Sequence, residues 1–262
     1  MQSDGICRLC RNRAQLRRSH IIPHSFYRRL KTPGDPQAVK ISVDGVTPPK
    51  KVNANPTEKL LCGACEHHLN ISFERYGARF LVNKKNMIDC DTYIRFKKVN
   101  YSKLYLFFVS ILWRASESSL PDYRGLNFGP RVNEMLRVCL LNNSLLINER
   151  TSLSLFFNVH LFRIKDKSGV FSEALMSRIM SGFKIESDPR YPEMIVVYFL
   201  ADGFMINFLI DPQKRVPHAA GLNGQLRRRG RLKAPKVDIS DLKTLSENFR
   251  YLSEIRGKFD PP

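Results

Sequence analysis

Acidic side chains are scarce in this chain: 24 Asp and Glu stand against 43 Lys and Arg in 262 residues, a formal charge of +19. A globular protein this basic repels itself, and a polyanionic partner is the usual reason such a charge is tolerated. Nucleic acid is the leading candidate, and an anionic membrane surface is second. Long hydrophobic runs are also missing. The longest, Leu104 to Trp113, is broken only by Ser110 and falls well short of the ~18–20 residues of a membrane span, which excludes insertion. Residues 1–20 are polar and Arg-rich, without the apolar segment of a secretory leader, so a reducing, cytoplasmic location is expected. Internal repeats and low-complexity stretches are absent too. With 43% hydrophobic residues, the chain has enough apolar content for one large domain or two smaller ones.

Six cysteines are present, and four fall in two Cys-x-x-Cys pairs, Cys7 with Cys10 and Cys62 with Cys65. Each pair can form a tight knuckle that aims two thiolates at one ion, and two knuckles complete a tetrahedral zinc site. Thiolates favour zinc over hard cations, and a redox dithiol needs no second copy. The pairs are separated by residues 11–61, longer than the spacing in compact zinc ribbons, so a structured insertion is expected between them. Cys90 and Cys139 stand alone in apolar surroundings and read as small buried hydrophobes.

Within that insertion lies Ser19-His20-Ile21-Ile22-Pro23-His24. Two branched apolar residues after a histidine suit a strand, and Pro23 would end it, leaving the His20 imidazole at a strand end. On Cys7, Cys10, His20, Cys62 and Cys65 the sequence resembles the HNH endonucleases, also called His-Me finger or ββα-metal nucleases. In their zinc-stapled members one Cys pair precedes the catalytic histidine and a second opens the following helix. The combination of Ser-His-Ile-Ile-Pro, Leu-Leu-Cys-Gly-Ala-Cys-Glu and Ser-Ile-Leu-Trp-Arg-Ala-Ser at 110–116 more loosely resembles bacterial HNH-related proteins, some from antiviral contexts.

The resemblance implies a metal-dependent endonuclease that hydrolyses phosphodiester bonds, with DNA favoured over RNA. It implies His20 as general base, an orienting asparagine, Asn55 or Asn53, and ligands for a catalytic Mg²⁺ or Mn²⁺ on the helix that begins at Cys65. Glu66 and Asn70, four apart, would share one face of that helix, with His67 and His68 as rivals if the helix starts two residues away. Ser19 stands where many members carry a metal-binding Asp or His. A zinc-dependent module that binds nucleic acid or a partner without cutting it is the competing expectation.

Arg8, Arg11, Arg13, Arg17 and Arg18 flank the proposed catalytic strand, and Arg28, Arg29 and Lys31 follow it. Arg227, Arg228, Arg229, Arg231 and Lys233 form a second run among glycines. Such arrays suit phosphate contacts that bring affinity and salt dependence but little sequence specificity. His160, within an apolar β-pattern, reads as a core histidine; Trp113, Glu74 and Tyr76 read as packing residues; His218 has no assigned role.

The expected fold class is α+β: an N-terminal zinc-stapled ββα module over residues 1–90, then an α+β region over 91–262 that recognises a substrate, partner subunit or regulatory signal. Thr32 to Pro56 reads as mostly loop, with a short strand near Val39–Val46. Periodicity predicts helices from Cys65 to about Val82, Tyr101 to Ser118, Pro130 to Leu141 and Asp238 to Phe259. Leu153–Ile164 is β-rich, and Ala201-Asp202-Gly203 is expected to join Met194–Leu200 and Phe204–Ile210 as an antiparallel hairpin.

Overall fold

The computed structural model describes residues 4–30, 38–42, 47–52, 56–188, 191–211, 224–229, 231–242 and 249–250. The first part of the chain contributes β1 (Asp4–Ile6), β2 (Arg13–His20), α1 (His24–Leu30), β3 (Ala38–Ile41), β4 (Lys50–Val52) and β5 (Thr57–Cys62). Next come α2 (Gly63–Leu69), a π-helical turn at Asn70–Glu74, α3 (Arg75–Phe80), β6 (Met87–Asp89), β7 (Tyr93–Phe96), α4 (Tyr101–Glu117) and α5 (Gly129–Leu141). The remainder supplies β8 (Phe157–Lys165), α6 (Glu173–Arg178), β9 (Ile179–Ser181), β10 (Lys184–Asp188), β11 (Tyr191–Ala201), β12 (Phe204–Ile210) and β13 (Lys233–Asp238).

The fold is α+β, with three sheets among the described residues. An antiparallel trio runs β1-β2-β5, with His20 opposite Thr57 and a register shift between Arg17 and Arg18. A seven-stranded sheet runs β10-β11-β12-β8-β13-β7-β6, antiparallel except where β13 lies parallel to β8. The third sheet, β4-β3-β9, pairs β3 in parallel with β9. A strand from between the two cysteine pairs thus joins a strand from the second half of the chain; the larger of two hydrophobic clusters extends from Cys7 to Ala234, and the smaller one holds Val39, Ile41 and Ile179.

Helix α4 is the centre of that cluster. Its residues from Leu104 to Ser116 are all buried, mostly apolar apart from Ser110, Arg114 and Ser116, as suits a helix enclosed by other elements. Asn100 caps its start, accepting from the Lys103 amide at 3.1 Å. At its other end Ser118 and Ser119 donate to the Glu58 carboxylate of β5. Helix α3 crosses it where Gly77 meets Phe107; a Cβ at Gly77 would lie 2.1 Å from Phe107 Cγ, so glycine alone permits this approach.

The hairpin expected at 201–203 is present. β11 and β12 are closed by a two-residue turn in which Asp202 and Gly203 both have positive φ (53° and 73°), the requirement of a type I′ turn. The helix predicted from Asp238 to Phe259 needs correction at its start. Asp238 ends β13 and caps a single 3₁₀ turn, Ile239–Asp241, through its own side chain, and Leu242 follows outside any helix; Phe249 and Arg250 are helical, and residues 243–248 and 251–259 lie outside the described residues. The apolar spacing there could not reveal that Asp238, Ser240 and Asp241 favour a turn over helix continuation. Among the described residues no helix is long and apolar enough to cross a membrane.

His160, on β8, is 4% exposed, and burial, with help from the Arg227 charge, pushes its pKa down to about 4. An unfolded histidine titrates near 6.5, so between these values the unfolded chain binds the extra proton. Stability should therefore fall as pH drops from 6.5 towards 4. Replacing His160 with Gln is expected to flatten that slope, by on the order of 3 kcal/mol across the interval, in urea titrations at several pH values; an unchanged slope would show the ring to be protonated in the fold. Gly77→Ala is expected to lower stability by about 1–3 kcal/mol, read as an earlier urea midpoint. An unmoved midpoint would mean that α3 and α4 can separate freely.

Candidate metal centre and adjoining cavity

Two local structures bring the four paired cysteines together. The β1–β2 turn is a knuckle: the Cys7 amide donates to Asn12 O, and Arg11, with φ of 64°, returns its amide to Cys7 O. The second pair straddles the start of α2, with Cys62 ending β5 and Cys65 in the first helical turn. The Arg8 amide donates to Leu60 O, stitching the knuckle to β5. As a result the four sulfurs lie within 4.8 Å of one another. A tetrahedron of ~2.3 Å Zn–S bonds has its sulfurs ~3.8 Å apart; those of Cys10 and Cys62 are 3.9 Å apart. The group is placed to take one metal ion.

The electrostatics agree with that geometry. Burial raises the Cys7 thiol, but the amides of Cys62, Cys10 and Leu9 outweigh it and leave the net shift downward. Cys10 and Cys65 are pushed up, first by burial and then by neighbouring sulfurs. Gathered thiols resist ionisation together, and a dication among them removes that resistance.

Next to this centre, where Glu66 follows Cys65 on α2, is a cavity of about 420 Å³. His20, Glu66 and Asn70 all line it, together with His24, Arg28, Arg29, Glu74, Arg75, Arg79 and Arg114. His20 is the last residue of β2, so the strand ends there rather than at Pro23, and its ring stacks on His24 at 5.2 Å. Glu66 and Asn70 share a helix face as their spacing requires. The π turn that follows adds a residue to the helical circuit, and such turns are frequent at functional sites. Glu74, at its end, is paired with Arg114.

Glu66 is not drawn into that pair. Its Oε1 is buried and, like the nearby Ser19 Oγ, makes no hydrogen bond of good geometry, though the Ser19 hydroxyl is close enough to favour the carboxylate. Burial raises its pKa; the Ser19 hydroxyl and Arg114 charge pull the other way, and Glu74 adds to the rise. A buried carboxylate oxygen with no well-formed hydrogen bond lacks the partner that a hard cation would provide.

The rival histidines fall elsewhere. His67 is exposed and outside the cavity lining although α2 starts at Gly63, two residues before the expected Cys65: the earlier start leaves Glu66 and Asn70 on the cavity face, and position 67 points ~100° away from position 66. His68 Nε2 meets the Leu140 carbonyl at 2.9 Å, with its ring edge-on to Phe73, which makes it a packing residue. Asn53, Asn55, Lys31 and His218 lie outside the described residues.

The arginines divide by role. Arg8, Arg13, Arg17, Arg18 and Arg28 are exposed, and Arg11 is exposed while pairing with Glu134. Arg29 is committed to the fold: Nε donates to the two Asp202 oxygens at 3.2 and 3.1 Å, and Nη2 to Oδ2. Arg227, Arg228 and Arg229 are exposed but far from the cavity. Arg228 acts on the Tyr101 hydroxyl at the start of α4, whereas Arg114 is thirteen residues on (114 − 101), ~20 Å along the helix.

Sequence reasoning passed over Arg114, His24, Arg75 and Arg79. A sequence signal existed for Arg114 alone: a cation within a fully apolar helical stretch must find a buried anionic partner. Glu74 was read as packing, and its pairing with Arg114 makes it packing and cavity wall together. Comparison of the chain with protein-family models, curated proteins and solved structures finds no match.

Cys10→Ser or Cys65→Ser is expected to abolish stoichiometric metal binding and to lower thermal stability by many degrees, with chelator treatment of the native protein reproducing the loss. Metal content by elemental analysis beside thermal melts checks this, and a metal-free chain of unchanged stability would show the thiols merely packed.

Proposed function

We propose that the chain is a metal-dependent endonuclease of the HNH type, cutting phosphodiester bonds in nucleic acid, with DNA the favoured substrate. The observation that carries this reading is the convergence of His20, from the end of β2, and Glu66, from the first turn of α2, on one arginine-rimmed cavity beside a four-thiol metal centre. Two arrangements would have spoken against cleavage: His20 enclosed by apolar side chains, or Glu66 tied to an arginine. Neither occurs, since His20 faces the cavity and Arg114 is paired with Glu74.

In this reading the four-cysteine centre holds zinc as a structural ion, because four thiolates leave no open coordination position. Glu66 and Asn70 would hold Mg²⁺ or Mn²⁺, which, when bound, supplies positive charge to the phosphorane and the departing oxygen. The cavity-facing ring nitrogen of His20 takes the proton of a water whose oxygen attacks phosphorus as the P–O bond to the leaving group breaks. Arg28, Arg75 and Arg79 on the rim bind the flanking phosphates. Arg114 keeps Glu74 neutralised, so that one free carboxylate, not two, faces an incoming polyanion.

Ser19 favours a second reading, a zinc-dependent binding module without cleavage. It is fully buried, and a serine there adds no acidic ligand.

Supercoiled plasmid with Mg²⁺ or Mn²⁺ separates the two. Native protein is expected to nick it, and His20→Ala and Glu66→Gln, at matched zinc content and folding, to lose at least about 100-fold in rate, the lower range for a removed acid–base group. Salt-dependent DNA binding should persist in both variants. Binding without nicking by the native chain would favour the binding module, and equal nicking by native and variants would remove His20 and Glu66 from the chemistry.

A further inference from the structure

A second cavity, of about 480 Å³, adjoins the first, and the two share Arg29 and Val82 in their walls. Its lining is apolar at Leu81, Val82, Met87, Ile94 and Phe204. Cations surround this patch: Lys84, Arg163 and Lys165, with Arg29 on the boundary. Three carboxylates also line it, and each is engaged. Asp202 is held by Arg29, Asp89 by Lys236 at 2.6 Å, and Glu173 by Lys165 at 3.2 Å.

Lys84 makes no ion pair among the described residues. Arg163 is only partly balanced: its charge is favoured by the Glu173, Asp89 and Asp202 carboxylates, while its guanidinium lies over the Phe204 ring at 5.1 Å and donates to the Asp202 carbonyl at 3.0 Å. An apolar wall beside an unpaired lysine and a cation stacked on a ring suits a nucleobase with its phosphate better than a purely apolar or purely anionic ligand. Concavity narrows the class further. A base stacked inside a duplex cannot enter a cavity of this kind; an unstacked one can.

The geometry points to a nucleotide subsite here, holding the residue next to the scissile phosphate. The substrate strand crosses Arg29 from one cavity into the other, its base packs on Val82 and Met87, and its phosphate meets Lys84. The substrate class is therefore single-stranded or locally unpaired nucleic acid. This inference rests on the nuclease reading for its substrate, but its test does not depend on cleavage.

The test uses the full-length His20→Ala chain, zinc-loaded, in fluorescence anisotropy titrations with a labelled single-stranded 12-mer and with a hairpin duplex of the same sequence. Tighter binding of the single strand, by at least about fivefold or roughly 1 kcal/mol, is the expected result. Lys84→Glu and, independently, Met87→Trp, which fills the cavity without altering charge, should each abolish that preference while the hairpin affinity changes less than twofold. Thermal melts of each variant confirm that it is folded. Equal affinity for both ligands would overturn the proposal. So would a single-strand preference that survives Met87→Trp, since Lys84→Glu alone would then report general charge. Failure of the native chain to cut any nucleic acid would instead count against the nuclease reading, leaving these titrations to decide the subsite.

Discussion

The mutual placement of four thiols governs everything around the candidate site. Cys7 and Cys10 lie on a turn, Cys62 at a strand end and Cys65 on a helix, and closing them on one point fixes where β2 runs relative to α2. Glu66 follows Cys65 directly, so its position is inherited from the metal centre rather than built separately. His20 is reached along β2, whose pairing with β5 leads straight back to Cys62. With a metal bound, a scaffold of this kind would hold its side chains more precisely than mobile loops could.

Around that scaffold, buried charge is arranged in closed pairs. Arg114 sits at 1% exposure and would be prohibitive alone; Glu74 makes it tolerable. Asp202, in the tight turn of the β11–β12 hairpin, is matched by Arg29 of α1. Removing either partner of such a pair leaves an uncompensated charge in a low-dielectric interior, so each links distant parts of the chain more stringently than apolar packing does. Against this background Glu66 stands out as a largely buried carboxylate that no ion pair holds among the described residues.

The parts of the fold that were legible in the sequence were those with strong local signals. The cysteine spacing announced the four-thiol cluster, the apolar stretch of 104–113 announced α4, and Asp202-Gly203 announced its turn. That Glu66 and Asn70 share a face followed from their spacing, while their candidacy as ligands came from the family resemblance; the rivalry of His67 was settled by the cavity, which it does not line. What could not be read was long-range. Nothing local says that β3 pairs with β9, that Arg29 reaches Asp202, or that a seven-stranded sheet assembles from β6, β7 and β13 with strands far along the chain. Short strands such as Met87–Asp89 carry too few residues to display alternation, and the second cavity exists only because elements remote in sequence happen to face one another.

The parallel pairing of β3 with β9 has a consequence for biosynthesis. As the chain leaves the ribosome, the metal centre can close as soon as residue 65 is clear, giving the nascent protein an early, rigid nucleus. Strand β3, enclosed between the two cysteine pairs, then waits for Ile179–Ser181 before its far edge is covered. Until residues 179–181 emerge the finished knuckle thus holds out an uncovered strand, and Arg29, in the wall of the arginine-lined cavity, waits longer still for Asp202.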